Sequence, residues 1–258
     1  MFLDLMMSGK HMTIVIDIET VPKQGDSYSE FLKEEEENFK APSSLNKGQA
    51  VEDLGGDPNN KEWKFKSKDD VIALWEKKFS KEKAPEVAEE KWRKTALDGS
   101  KGEIISIAYR GIDFDVQGIY RKLDEPEDEF LSVALGRLAE GMNGANPFFA
   151  GHNIAAFDLK FIYHRCVINK VKPPFAIPFG GYHGKDYFDN MIAWTGYRND
   201  RISQVNLAKA LGLPGKSSDI DGSKVWDFIR AGKYDEVVEY NKDDVNQAFE
   251  IYSRLNFF

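Results

Sequence analysis

The chain has 258 residues, 41% of them hydrophobic and 30% charged, enough for one substantial core with an appendage. Its formal net charge of −8 excludes a basic nucleic-acid coat, but not nucleic-acid binding, which follows a local basic surface rather than the sum. One cysteine, Cys166, excludes an internal disulfide and points to a reducing, cytoplasmic setting, and no apolar run approaches the roughly 20 residues that span a bilayer.

Residues 1–12 (MFLDLMMSGKHM) have too short an apolar stretch and the wrong charge order for a secretory signal, and read as a native leader or an expression remnant. Residues 13–20 read as a strand stopped by Pro22. A charged region over 23–100 follows, with EEEE at 34–37 and the loop-like GGDPNN at 55–60. DDVIALWEKKF (69–79) has apolar residues near helical spacing, and KAPEVAEEKWRKTAL (83–97) looks similar, with Pro85 near a helix start. The region is expected to be a mostly helical insertion with flexible joints, not a separate domain. It is either a solvated excursion or a flap that grips substrate.

The core resumes with a strand at EIISIAYRG (103–111) and another at DFDVQGIYRK (113–122), punctuated by Gly111. EPEDEFLSVALGRLAEGM (125–142) is an amphipathic helix with acids in its first turn. NPFFAGHN (146–153) is a short buried strand ending in a glycine turn, and 154–169 is a helix. Short helices are expected around 187–196 and 203–211, and a long one over 234–255. Strands first, then alternation of strand and helix, imply an α/β sheet with helices on both faces.

The acids of the first strand need an explanation. In IVIDIET (14–20), Asp17 and Glu19 share a face with Val15, because strand side chains alternate. Two carboxylates side by side near a desolvated core repel one another. No Arg or Lys is adjacent in the strand, so a divalent cation is the economical remedy, unless the strand ends early and the pair is solvated at its mouth. Asp158, in GHNIAAFDLKFI, opens a helix after a glycine turn, where the helix dipole favours an ionised carboxylate and α/β ligand sites gather. Taken alone it is an ordinary first-turn acid. On the last helix Tyr240 and Asp244 are four residues apart and share one flank, beside Val238, Val245, Phe249 and Tyr252.

In that order, D-x-E on a first strand, N-x-x-x-F-D opening a mid-chain helix and Y-x-x-x-D on a final helix resemble the DEDD superfamily of 3′→5′ exonucleases, with Tyr240 marking the DEDDy branch. The DEDDh branch wants a histidine five residues before the last acid, where this chain has Glu239. The sequence is most similar to the exonuclease family related to family B DNA polymerase proofreading domains. DIETVP (17–22), GHNIAAFD (151–158), LAKALGLPGK (207–216), DIDGSKVWDF (219–228) and YNKDDV (240–245) carry the likeness, which leaves 23–100 unexplained.

The resemblance implies a ribonuclease-H-like mixed sheet flanked by helices, one domain over 13–256, with the insertion after the first strand. It implies a 3′→5′ exonuclease that uses two Mg²⁺ or Mn²⁺ ions on a nucleic acid with a free 3′ end, single-stranded DNA before RNA. Asp17 would bridge both ions, Glu19 and Asp244 would complete the site of the ion that activates water, and Asp158 would hold the second ion. Tyr240 would orient the attacking water. Backbone around Thr20 would meet the terminal nucleotide, and Asn153 and Phe157 would contact sugar or base, with core packing an equal reading for Phe157. Asp243, about 100° round the helix from Asp244, is expected outside the cage. Asp189 resembles a family position near the substrate groove.

Lys160, Arg165, Lys185, Arg198, Arg201 and Lys216 are candidates for phosphate attraction, or plain solvated cations. His152, His164 and His183 have no ligand spacing, and no Cys/His cluster has zinc spacing. Cys166 is expected buried and inert. The alternatives are an exoribonuclease with the same site and a catalytically silent nucleic-acid-binding module on the same fold. A Rossmann-type protein is excluded by the lack of G-x-G-x-x-G after the first strand.

Overall fold

Strand β1 (His11–Val21) begins the ordered description in the computed structural model, which describes residues 11–196, 200–215 and 220–257. Its branched apolar residues divide by parity. Ile14, Ile16 and Ile18 enter one core, and Val15 enters a second core on the opposite face. A strand used on both faces belongs at the centre of a sheet.

After Pro22 the chain leaves the sheet, and Lys23–Lys94 fold as a compact unit of their own. That unit holds α1 (Ser27–Asn38), α2 (Lys47–Asp53), α3 (Lys61–Lys64) and α4 (Lys68–Arg93). Phe39, Ala50, Val51, Val71, Trp75 and Ala84 form its core. Trp75 donates its indole N–H to Asp53, and Trp92 donates to the Lys23 carbonyl and to Ser27. The two Trp-bearing stretches expected as separate helices are one 26-residue helix, α4, with Pro85 in its interior. Proline removes one helix donor and crowds the carbonyl four residues back. Here packing outweighs that local cost, because Ala84 and Ala88 on either side are fully buried and Tyr28 donates to the Pro85 carbonyl. At its start, Ser67 and Asp70 close a capping box.

The remaining unit, which includes β1, continues through β2 (Glu103–Gly111), β3 (Gln117–Tyr120), α5 (Glu127–Gly141), β4 (Asn146–Gly151), α6 (Asp158–Ile168) and β5 (Tyr187–Asp189). It closes with α7 (Asn190–Thr195), α8 (Gln204–Ala210), α9 (Val225–Arg230) and α10 (Tyr234–Leu255). The five-stranded sheet has the order β3-β2-β1-β4-β5. Strands β3, β2 and β1 are joined antiparallel, and β4 and β5 join on β1's other side in parallel. Helices α5 and α6 cover one face through Leu131, Leu135, Leu138, Leu159, Phe161 and Ile162. Helix α10 covers the other, with Val245, Ala248 and Tyr252 against Val15, Ala108 and Ala150. This is the α/β, ribonuclease-H-like mixed sheet that the resemblance implied.

Two local expectations change. Residues 187–189, expected as the start of a short helix, are a fully buried edge strand paired with Phe149–Gly151. Three residues are too few for either periodicity to show, and the pairing with β4 decides the matter. Helix α9, at 225–230, was not expected at all. It is a six-residue helix whose buried residues, Val225 and Ile229, join Val21, Ile105 and Val237.

A buried ion pair ties the sheet to both helices of one face. Glu127, in the first turn of α5, accepts from the Ile104 N–H of β2, from the Arg165 guanidinium of α6 and from Asn169. Removing one partner strands the other charge in the core. Glu127→Ala is expected to cost about 3–5 kcal/mol of stability in chemical denaturation. Cys166, beside this pair, is buried, and burial followed by the nearby Glu127 charge pushes its thiol up to about 11, so it is inert at neutral pH.

Candidate active site

The odd residues of β1 turn toward α10, so Asp17 and Glu19 leave the sheet on that side, past the apolar Val15. The register shifts between Glu19 and Thr20, where a bulge interrupts the pairing with β2 before it resumes at Thr20↔Ile104 and Val21↔Glu103. Helix α10 crosses this face and presents Tyr240 and, one turn on, Asp244. Carboxylate oxygens of Asp17, Glu19 and Asp244 lie within 4.8 Å of one another. Glu19 is 8% exposed and Asp244 6%, so two of the three are withdrawn from water.

Side chains that the motif reading passed over hold these acids. Asn241 donates its amide to Asp17 Oδ2 at 2.6 Å and accepts at its Oδ1 from the Ser106 hydroxyl of β2 at 2.9 Å. Both Asn241 and Ser106 are fully buried. Gln204 of α8 donates to Asp244 Oδ1 at 3.2 Å and to the Asp244 carbonyl at 2.9 Å. One signal for Asn241 was present: it is three residues before Asp244, on the same helix flank. Nothing local marked Gln204 or Ser106.

Asp158 stands apart from the three-acid group. It opens α6, whose Leu159, Phe161 and Ile162 pack on the other face of the sheet, and is 2% exposed. Its Oδ1 accepts from the Ile18 N–H at 3.1 Å, just beyond the last β1–β4 pair, Val15↔Ala150. Burial first, and then the Asp17 carboxylate, hold the Asp158 carboxyl well above the usual carboxylate range, against the downward pull of the backbone N–H groups. Tyr240 packs among Val21, Ile105 and Val237. Burial, followed by Glu19 and Asp17, pushes its phenol up, so the hydroxyl keeps its proton.

Asp189 is the second organiser. It is 1% exposed, and its Oδ1 accepts from the N–H groups of Met191 and Ile192, capping α7. The same oxygen accepts from the Asn153 N–H, fixing the turn between β4 and α6. Asn153 lies there in the left-handed region, with φ 63°. Gly151 starts this turn, and a Cβ there would meet Ile154 Cγ2 at 2.2 Å and the Ile16 carbonyl at 2.9 Å.

The other residues expected at the site divide. The Thr20 hydroxyl is committed to the Ala96 carbonyl at 2.7 Å. Phe157 is half-buried, packs against Phe161 with ring centres 5.5 Å apart, and lines a cavity of about 270 Å³ with Leu97, Lys160 and His164. His152 Nε2 lies 2.8 Å from the carbonyl of Ile202, fifty residues on. Lys160, Lys185 and Arg201 are exposed. Arg165 is not a phosphate contact, because it is buried against Glu127. Its place on α6 fell on the core face, where a cation is kept only by an opposite charge. Arg198 and Lys216 lie outside the described residues. Asp243 lies outside the three-acid group.

The donor set fits a hard divalent cation. The ligand atoms are carboxylate oxygens, with no thiol or imidazole in the group, and like charges at this spacing in a partly desolvated site call for a counter-ion.

A mixed sheet of this order, flanked by helices on both faces, is of the ribonuclease-H-like class. Residues 101–258 match the model of a family described as a predicted 3'-5' exonuclease related to the exonuclease domain of PolB, and the chain belongs to that family. The matched stretch holds Asp158, Tyr240 and Asp244 and leaves out β1, which the sheet brings back beside them. No curated protein matches the chain. Among solved structures, the family B DNA polymerase from the hyperthermophilic archaeon Pyrobaculum calidifontis is similar at a TM-score of 0.49 and 12% identity, over 95% of this chain and 24% of the polymerase chain. This chain thus spans 24% of that polymerase's length.

Proposed function

We propose that the chain is a metal-dependent 3′→5′ exonuclease that hydrolyses phosphodiester bonds at the 3′ end of single-stranded DNA. The observation that carries this reading is the convergence of Asp17 and Glu19 from β1 with Asp244 from α10, in a chain that belongs to a family of predicted 3'-5' exonucleases. Asp17, Glu19 and Asp244 would hold one Mg²⁺ or Mn²⁺ ion, and Asp158, near enough to Asp17 to feel its charge, would help hold a second. When bound, the ions supply positive charge for activating water and for the leaving 3′ oxygen.

The protein's own groups do the rest. Asn241 and Gln204 hold Asp17 and Asp244 with fixed oxygens outward, which limits the reorganisation that binding would otherwise require. Tyr240, one turn before Asp244 and kept protonated, would orient the attacking water through its hydroxyl. Backbone at Thr20 and the side chains of Asn153 and Phe157 would seat the terminal nucleotide. DNA is placed before RNA on the relation to a polymerase exonuclease domain, and an exoribonuclease with the same site is the second reading. No helix among the described residues is long and apolar enough to cross a membrane, and the single buried Cys166 suits a reducing, cytoplasmic setting.

A 5′-labelled single strand incubated with Mg²⁺ or Mn²⁺ should yield a ladder shortened from the 3′ end, and EDTA should abolish it. A folded protein that leaves DNA and RNA of the same sequence intact with either ion would fit the silent binding module and sink the enzyme. Faster loss of the RNA would favour the exoribonuclease.

A further inference from the structure

The helical unit at Lys23–Lys94 carries a feature that its own core does not use. Phe65, between α3 and α4, is 83% exposed. An aromatic ring left in water forgoes the roughly 1.5–3 kcal/mol that burial of such a side chain returns. The backbone presenting it is pinned. Lys47 donates its ammonium to the carbonyls of Lys64 and Lys66, the residues on either side of Phe65. Trp63 anchors the preceding turn against Gly56, where a Cβ would fall 2.3 Å from the indole Nε1, and Lys66 lies over the Trp63 ring at 5.8 Å. The Ser67–Asp70 capping box fixes the following turn.

The charge from 61 to 68 is mainly positive, with Asp69 and Asp70 following in the first turn of α4. The stretch KEWKFKSK (61–68) holds Lys61, Lys64, Lys66 and Lys68 against a single acid, Glu62, in a chain whose net charge is −8. Lys61, Lys64 and Lys68 are exposed, and none of them is in an ion pair among the described residues. A rigidly held aromatic face between free cations suits a ligand that alternates flat bases with phosphates. An acidic protein surface would pair with the lysines but offers no flat base for the exposed ring to stack on. We propose that the 61–68 segment is a docking surface for single-stranded nucleic acid, with Phe65 stacking on a base and the flanking lysines meeting the backbone on either side. The inference rests on the reading of the chain as acting on nucleic acid, and adds to it a holding site in the helical unit.

The test uses the full chain with EDTA present, so that no cleavage occurs, and follows the anisotropy of a fluorescein-labelled oligothymidylate. Phe65→Ala should weaken binding about 5- to 150-fold, the loss of one stacked base. The triple change Lys61→Gln, Lys64→Gln, Lys68→Gln should flatten the slope of log affinity against log salt by about 2, at about 0.7 per single-strand phosphate contact. All these side chains are exposed, so melting temperature should hold. With Mn²⁺, hydrolysis of the small ester thymidine 5′-p-nitrophenyl phosphate should be the same in wild type and variants. If the ester is hydrolysed but the variants bind the oligonucleotide like wild type, the docking surface is overturned and the enzyme stands. If binding depends on Phe65 while wild type leaves the ester and the oligonucleotide uncut, the enzyme reading falls and the docking surface stands. If Phe65→Ala dissolves a dimer in sedimentation with oligonucleotide affinity unchanged, Phe65 belongs to a self-contact and the proposal is overturned.

Discussion

Asp17→Asn is expected to reduce cleavage of a single-stranded oligonucleotide by about 10³-fold or more while leaving the fold intact. Asp17 is the residue that both other elements of the site address. It shares an oxygen cluster with Glu19 and Asp244, it accepts from Asn241, and its charge is felt at Asp158. Charge stabilisation by a bound divalent ion is worth several kcal/mol, and each 1.36 kcal/mol is tenfold in rate. Asparagine keeps the size and one acceptor, so β1 has no cavity to collapse into. It also removes one of the like charges crowded at the end of β1, so melting temperature without metal should not fall. Single-turnover rates, thermal melts and calorimetric titration with Mn²⁺ together check this. A variant that melts like wild type and still cuts within tenfold of it would remove Asp17 from the machinery.

Asp158→Asn should abolish cleavage to a similar degree and, unlike most buried-site changes, raise stability in the absence of metal. Burial and the adjacent Asp17 hold the Asp158 carboxyl above its ordinary value of 3.8. For a group raised on folding, the favourable contribution of the protonated form is fully present below the unfolded value. It is lost as pH rises through the folded value. Wild type without metal should therefore lose stability over that interval, as Asp158 ionises in an apolar site beside another carboxylate. Asparagine stays neutral throughout and keeps an oxygen for the Ile18 N–H. A gain of about 2–4 °C at the alkaline end corresponds to roughly 1 kcal/mol in a domain of this size. Metal reverses the preference, because a ligand carboxyl must release its proton. Divalent-ion affinity in wild type should rise with pH across the same interval, with proton release seen as a dependence of binding heat on buffer, and both effects should shrink in Asp158→Asn. A variant with wild-type pH dependence would mean that Asp158 takes no part in ion binding.

The local pattern made most of the scaffold legible. The strand at 103–111 and the helix at 234–255 fall where a continuous apolar run and the helical repeat put them, because the strand is buried on both faces and the helix along one, and each carries an unbroken pattern. Short or contested segments were not legible. Residues 187–189 are a strand only because β4 offers an edge, and Pro85 is inside a helix only because Ala84 and Ala88 are buried on either side. Among candidate site residues, spacing put Asp17 with Glu19 and Tyr240 with Asp244. It could not tell Arg165, neutralised by Glu127 in the core, from a cation facing solvent.

By itself the sequence determined which segments bury a face, which acids are carried on them, and that no Cys/His run has zinc spacing. Those properties depend on residues within a turn or two of one another, and local chemistry suffices for them. Only the tertiary structure decided that β1 lies between β2 and β4 despite the Lys23–Lys94 unit inserted after it, and so that Asp17 and Glu19 meet Asp244. It also decided that Asn241, Ser106 and Gln204 would hold those acids, and that Asp158 would be desolvated beside Asp17. The reason is that a carboxylate's neighbours and solvation are set by chain segments far away in sequence, which are fixed only when the two faces of the sheet are packed.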